Sequence, residues 1–345
     1  MAATPTLPQR RPRLAWIAGL ALAGSLAGCG GTANPPASTG GGPTPASASA
    51  DDVVEVDGSS TVYQISREAM QGYKKVAPKV NVIVNKSGTG GGFGKYLDNK
   101  LELVGASRPA KDSEESKAKA QGIDWERFLV GYDGITVVVN PKNDFVKELS
   151  VEQLKTLWAP KSAVKTWKNL DASWPDRKIS FFSPDEDSGT FDFFTEAVVG
   201  KAKSQRDDVQ PSSDDNTLVK GVAGEDDGIG YFGYAYFKAN SSSLRAIPIK
   251  KSAEAPAVMP SPATILDKSY SPLARPLFLY VKKAAMRRPT VAGFVTYYVE
   301  NARTLAVKAK YVSPTDEDAT ANRAILAKLA PGVAPTPAAS SSPAP

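Results

Sequence analysis

Three times in this chain a short apolar run ends in a turn of Ser, Thr and Gly, and an amphipathic segment begins at once. The turns are Asp57-Gly58-Ser59-Ser60-Thr61, Ser87-Gly88-Thr89-Gly90-Gly91-Gly92 and Asp187-Ser188-Gly189-Thr190. A strand that feeds straight into a helix is the repeating unit of an α/β fold. It also says where a ligand can lie, because open α/β sheets bind ligands beyond the carboxyl ends of their strands.

The remaining pattern agrees. VVEVDG (53–58), NVIVNK (81–86), LVGAS (103–107), GITVVVN (134–140), KISFFSP (178–184) and RPLFLYVKK (275–283) read as strands. STVYQISREAMQGYKKV (60–76), GGFGKYLDNK (91–100), SVEQLKTLWA (150–159), SGTFDFFTEAVVG (188–200) and TVAGFVTYYVENA (290–302) read as helices. The aromatic run 228–237 offers either a stacking platform or a packing surface, and packing is the expectation. The 345 residues suffice for two domains with ample core.

Composition narrows the chemistry. No histidine is present, so a Ser-His-Asp triad is excluded and the commonest metal ligand is missing. A single cysteine allows neither an internal disulfide nor a zinc cluster. GTGGGFGK (88–95) resembles a P-loop but has Tyr96 where the motif needs Ser or Thr. No cofactor or metal is implied, and an enzyme is not expected. The net charge of +6 includes Arg10, Arg11 and Arg13; without these three the balance is 39 basic against 36 acidic residues. That surplus, with no basic run carrying interleaved aromatics, does not point to nucleic acid.

Residues 1–28 read as a secretory signal, with a basic start and an apolar run from Leu14 to Leu26 too short to span a bilayer. Leu26-Ala27-Gly28-Cys29 resembles the lipobox of bacterial lipoproteins, which makes Cys29 the expected lipidation site. Export by the Sec or the twin-arginine route stays open. Residues 29–50 are a Gly/Ser/Pro linker with an r.m.s. span of about 25 Å, and the Pro/Ala/Ser tail 331–345 is expected to be disordered.

A helix N-terminus exposes unpaired N–H groups and partial positive charge. Glycine admits an anion close to the backbone, and hydroxyls add donors. One such turn is ordinary capping; three at strand ends can converge on one oxyanion. Arg108, just past a strand end in Gly105-Ala106-Ser107-Arg108-Pro109, either donates bidentately to that anion or forms a surface salt bridge. Asp187 either caps the 188–200 helix or accepts a hydrogen bond from a protonated oxyanion, which would favour hydrogen phosphate over sulfate.

These residues resemble the PstS-type phosphate-binding proteins. The matching stretches are VDGSSTVYQIS (56–66), KSGTGGGFGKY (86–96), GASRPA (105–110), YDGITVVVNP (132–141), SPDEDSGTFDFFTEAVVG (183–200), DDNTLVKGVAGEDDGIGYFGYAYF (214–237) and SPLARPLFLYVKK (271–283). The resemblance implies a periplasmic-binding-protein type II fold: two α/β domains, 51–137 plus 255–330 and 138–254, hinged near Val138–Pro141 and Ile247–Pro256, with the ligand in the interdomain cleft. It implies inorganic phosphate as ligand, the permease subunits of a phosphate ABC importer as partner, a lipid-anchored monomer outside the cell membrane, and no nucleic acid. Carried over by position, the ligands are the Ser60 hydroxyl, Thr61 N–H, Ser87, Ser188, Gly189 N–H and Thr190. Arg108 and Asp187 join them on the chemistry above. Some members place an aspartate at the position of Arg108 and an arginine four residues before the SGT serine, where this chain has Pro184. The phosphate proton acceptor is therefore open, with Asp187 first and Asp57 and Asp133 behind it. The alternatives are another tetrahedral oxyanion (sulfate, molybdate or arsenate) or a surface lipoprotein without a transport role.

Overall fold

The computed structural model describes residues 53–329, which lie in one compact unit, Ser47–Pro345. Cys29, the apolar run before it, the linker and the tail from Pro331 lie outside the described residues.

The chain runs through β1 (Val53–Gly58), α1 (Ser60–Val76), β2 (Asn81–Val84), α2 (Gly88–Leu97), β3 (Leu103–Ala106) and α3 (Asp112–Ala120) into β4 (Trp125–Val139). Next come β5 (Leu149–Ser150), α4 (Val151–Trp158), α5 (Trp167–Leu170), β6 (Ser180–Pro184), α6 (Gly189–Phe194), β7 (Gln210–Ser212), α7 (Asp215–Gly224), β8 (Gly228–Gly233) and α8 (Tyr234–Ala239). Short strands β9 (Arg245–Ala246), β10 (Ile249–Lys250) and β11 (Ala257–Val258) precede α9 (Pro262–Leu266) and β12 (Ala274–Lys282). Helices α10 (Pro289–Glu300), α11 (Ala302–Lys308) and α12 (Asp316–Leu329) follow.

β4 organises the molecule. The main sheet has the order β2-β1-β3-β12-β4-β8-β6-β7, with β9 also on β4. From Trp125 to Gly134, β4 runs antiparallel to β12; from Ile135 it runs antiparallel to β8. On one side of that switch β1 lies parallel to β2 and β3; on the other, β6 lies parallel to β7 and β8. One strand thus serves two half-sheets, and the chain returns to the first half at Ala274.

Strand alternation sorts the side chains into layers. On β12, Leu277, Leu279 and Val281 face a core shared with Val62, Ile65 and Phe294, while Phe278 and Tyr280 face Phe93 and Tyr96 on the other side. On β4, Ile135, Val137 and Val139 face Trp158 and Phe194, while Val138 faces Phe182 and Val222. Each half is therefore a helix–sheet–helix sandwich. Each fully buried large side chain contributes about 1.5–3 kcal/mol. Ile265, Tyr270 and Leu273 also pack in the second half. Tyr231 and Phe232 are fully buried, and Tyr231 stacks on Phe194 with centroids 3.6 Å apart, so these two aromatics pack rather than present a platform.

α1 forms because Val62, Ile65, Ala69 and Tyr73 share a buried face, and Ser59 caps it by accepting from the Val62 N–H. It ends before Pro78, which disfavours helical backbone at Ala77. Gly58, at φ +130°, lets β1 turn into α1 within reach of the Gly105 carbonyl, which accepts from the Ser59 N–H at 2.8 Å. The 188–200 segment is helical as expected, but after Phe194 it widens, and the Gly200 N–H bonds the Thr195 carbonyl five residues back.

Candidate functional site

Between the two half-sheets lies a cavity of about 500 Å³. The first half lines it with the start of α1 (Ser59, Ser60, Thr61), the start of α2 (Ser87 to Gly91) and the end of β3 (Ser107, Arg108). The second half adds Gly189, Asp192 and Phe193 from α6 and Glu196 just beyond it, and β12 adds Arg275. The first-turn N–H groups of α1 and α2 have no intrahelical partner, so two helix N-termini deliver orphan donors and partial positive charge to one space. The Ser87 hydroxyl makes no capping bond to its own helix.

Two arginines reach this space. Arg108 donates bidentately to Glu114 at 2.8 and 2.9 Å and lies over the Phe93 ring. Burial pushes Glu114 up, but the Arg108 fork and the Lys111 N–H outweigh it and hold the carboxylate below its usual range. Arg275 faces Asp133 across the β12–β4 ladder at 3.4 Å, one residue from the point where β4 changes partner. Burial pushes Asp133 up and the Arg275 guanidinium down, and each opposes the shift of the other.

The halves touch at the helix starts. The Ser60 hydroxyl donates to Asp192 Oδ2 at 2.8 Å, and Lys86 pairs with Asp187 at 3.2 Å. A Cβ on Gly189 would lie 2.5 Å from the Thr61 nitrogen, so α6 meets α1 backbone to backbone. The arrangement is a donor-rich, partly cationic niche suited to a small oxyanion. Among the described residues no group of His, Cys, Asp and Glu could hold a metal ion, and no helix is long and apolar enough to cross a membrane.

Residues 43–302 match the family model of the PBP superfamily domain. The chain is 40% identical over 270 residues to the protein SphX of Synechocystis, covering 77% of this chain and 79% of that protein. It is 37% identical over 262 residues to the phosphate-binding protein PstS of Staphylococcus haemolyticus, covering 76% and 81%. The crystal structure of a possible phosphate binding protein from Planctomyces limnophilus superposes with a TM-score of 0.78 at 42% identity, covering 80% of this chain and 98% of that one. The chain belongs to the PstS-type phosphate-binding proteins. An ABC-type phosphate transport receptor from Vibrio cholerae, at 22% identity and a TM-score of 0.60 over 76% of this chain and all of that one, shares the fold.

Within this PstS-type frame, the residues expected from the sequence divide. Ser60, Thr61, Ser87, Arg108 and Gly189 line the cavity. Ser188 and Thr190 line a neighbouring cavity of about 530 Å³ with Asp187, Lys86 and Asp215, while Ser60 and Gly189 border both. Ser188 caps α6 by accepting from the Thr190 N–H at 3.2 Å. The Asp187 side chain is 85% exposed. Asp57 is buried against Lys95 at 2.5 Å. Asp192 and Arg275 are cavity residues that sequence reasoning passed over. Asp192 carries a legible signal, since it lies four residues after Ser188 on the same helix. Arg275 carries none locally, because its meaning lies in its pairing with Asp133.

Proposed function

We propose that this chain captures inorganic phosphate between its two lobes and hands it to the permease of an ABC importer. The observation that carries the reading is the convergence of two helix N-termini, a set of hydroxyls and two arginines on one interlobe cavity. The names of the staphylococcal and planctomycete relatives support phosphate as the ion. Capture involves no chemistry: open lobes admit the anion, and bonds from both lobes favour the closed state, which the permease reads.

The proposed ligands are Ser60, Thr61, Ser87, Arg108 and Gly189, with Thr89 and Ser107 added, and Arg275 lies directly behind them. Ser188 and Thr190 shape the first turn of α6 beside them. Asp192 is the proposed acceptor for the phosphate proton: its Oδ1 is buried without a hydrogen-bond partner, whereas Asp187 is exposed on Lys86. The proposed lobes are 53–134 plus 274–329 and 135–273. The crossings then fall at Gly134–Ile135 and Leu273–Ala274 rather than near Val138–Pro141 and Ile247–Pro256, because β4 changes partner at the first and Leu273 packs in the second core. The body acts as an exported monomer tethered by lipid on Cys29; Cys29→Ser should move the protein from the membrane fraction to the soluble one.

The test is calorimetric titration with phosphate and then sulfate from pH 5 to 9. Phosphate binding with negligible sulfate binding is expected. Equal binding would mean that only charge and size are read, and binding of neither would overturn the reading.

A further inference from the structure

Arg275 is placed where no simple ion pair needs to be. Its side chain is 11% exposed and that of Asp133 is 1% exposed, yet their atoms approach only to 3.4 Å, long for a charge-assisted bond. Asp133 Oδ1 is buried with no side-chain donor to meet it. A buried pair of this quality contributes little net stability.

The shorter contacts of Arg275 go elsewhere. Nη2 donates to the Thr61 hydroxyl oxygen at 2.6 Å, and Nη1 donates to the Ser107 hydroxyl oxygen at 3.0 Å. The second lobe pins the guanidinium from the other side. The Gly189 carbonyl accepts from Nη2 at 3.2 Å, and the Phe193 ring centroid lies 3.6 Å from the guanidinium carbon.

Arginine has only donors, so a hydroxyl bonded to it must accept. The Thr61 proton is then not used in the bond to Arg275 and is left to donate. Ser107 lies 3.1 Å from the Thr89 hydroxyl, and Thr89 already accepts from the Ser107 N–H at 3.2 Å. That hydroxyl pair holds two protons and uses one between its members. Whichever member donates, one proton remains for the cavity. Ser60, by contrast, gives its proton to Asp192.

We propose that Arg275 is a positioning residue for anion recognition: it fixes the Thr61 and Ser107–Thr89 hydroxyls as donors into the cavity. A hydroxyl alone can donate or accept and so discriminates poorly; under Arg275 these groups suit the acceptor oxygens of an oxyanion, while its single proton is left to Asp192. Asp133 holds the guanidinium at the hinge, and the contacts to Gly189 and Phe193 exist only when the lobes meet, so closure completes the arrangement. The inference rests on the phosphate reading above.

The test is a double-mutant cycle read by phosphate calorimetry, with Arg275→Lys, Thr61→Val and their combination. Arg275→Lys keeps the charge but loses the fork. Each single change should weaken phosphate binding about 10- to 100-fold, and the double should be no weaker than the worse single, because both remove one bond chain. Effects that multiply, or wild-type affinity in Arg275→Lys, would overturn the proposal. Should Arg275→Lys fail to fold, Ser107→Ala and Thr89→Val form a second cycle away from the hinge. There Thr89→Val should cost less in the Ser107→Ala background than in the unaltered protein, because Arg275 no longer orients the Thr89 hydroxyl through Ser107, and multiplying effects overturn the proposal equally. Failure of the unaltered protein to bind phosphate would instead sink the phosphate reading itself.

Discussion

Asp192 lines the interlobe cavity with Oδ2 bonded to Ser60 and Oδ1 buried without a hydrogen-bond partner, 3.9 Å from the Lys203 ammonium. A carboxylate there repels sulfate, which has no proton to give near neutral pH, and accepts a hydrogen bond from hydrogen phosphate. Asp192→Asn replaces an acceptor by an amide that can donate. Sulfate affinity should then rise, and phosphate affinity fall, each by about tenfold or more; titration with both ions checks this. Asp215, at the start of α7, is pushed up to about 6 by burial and by neighbouring Asp214, against a pull downward from Tyr236. The folded protein thus keeps a proton that the unfolded chain releases from about pH 4. The stability from this group is complete below that value and is lost as pH rises through about 6. Asp215→Asn should therefore stabilise the protein by roughly 1–3 kcal/mol at pH 8 and hardly at all at pH 4, as urea unfolding at the two pH values would show. Legibility at this scale follows locality. Ser60, Thr61, Ser87 and Gly189 were readable because a strand–turn–helix places them by its own geometry. Arg275 was not, because Asp133, Thr61, Ser107 and Gly189 reach it from four separate segments.

Helix α6 meets helix α1 where Gly189 lies against the backbone of Ser60 and Thr61, and the proposed opening of the lobes would break that contact. Gly189→Ala would place its Cβ 2.6 Å from Thr61 Oγ1 and 2.8 Å from the Ser60 carbonyl carbon, where backbone cannot yield. The clash of about 1–3 kcal/mol falls on the closed state alone. Phosphate affinity should drop about 10- to 100-fold while stability without phosphate stays unchanged, which paired titration and thermal unfolding would separate. Among the elements, those with an unbroken apolar period were legible, such as α1 and the two faces of β12. Others were hidden by polar composition. β4 begins at Trp125, nine residues before the β-branched run, because Glu126 and Arg127 still take their places opposite Val281 and Tyr280. In α12 the buried positions are Asn322 and Leu326, too few and too polar to form a stripe. Asn322 instead bonds both the N–H and the carbonyl of Leu129, serving β4 as a further strand would.

The two lobes have separate cores, and the chain passes between them at β4 and again on entering β12. Tyr132, Leu129, Ala274 and Val312 of the first proposed lobe pack against the second core, yet each lobe also has a core of its own, so the two are expected to unfold as coupled but distinct units. A ligand held by both lobes changes that. Binding to the folded state adds RT ln(1 + [L]/Kd), about 4 kcal/mol when phosphate stands a thousandfold above its Kd. Because Ser60, Thr61 and Ser87 belong to one lobe and Gly189 and Asp192 to the other, neither lobe can unfold and leave the site intact. Scanning calorimetry without phosphate should resolve two overlapping transitions, and saturating phosphate should raise both and draw them into one. Sulfate at the same concentration should leave both in place. Gly189→Ala should keep the two transitions and lose most of the phosphate shift, since the anion would then be held by the first lobe alone. A phosphate shift confined to one transition in the unaltered protein would locate the whole site in one lobe, and the interlobe cavity would lose its assigned role.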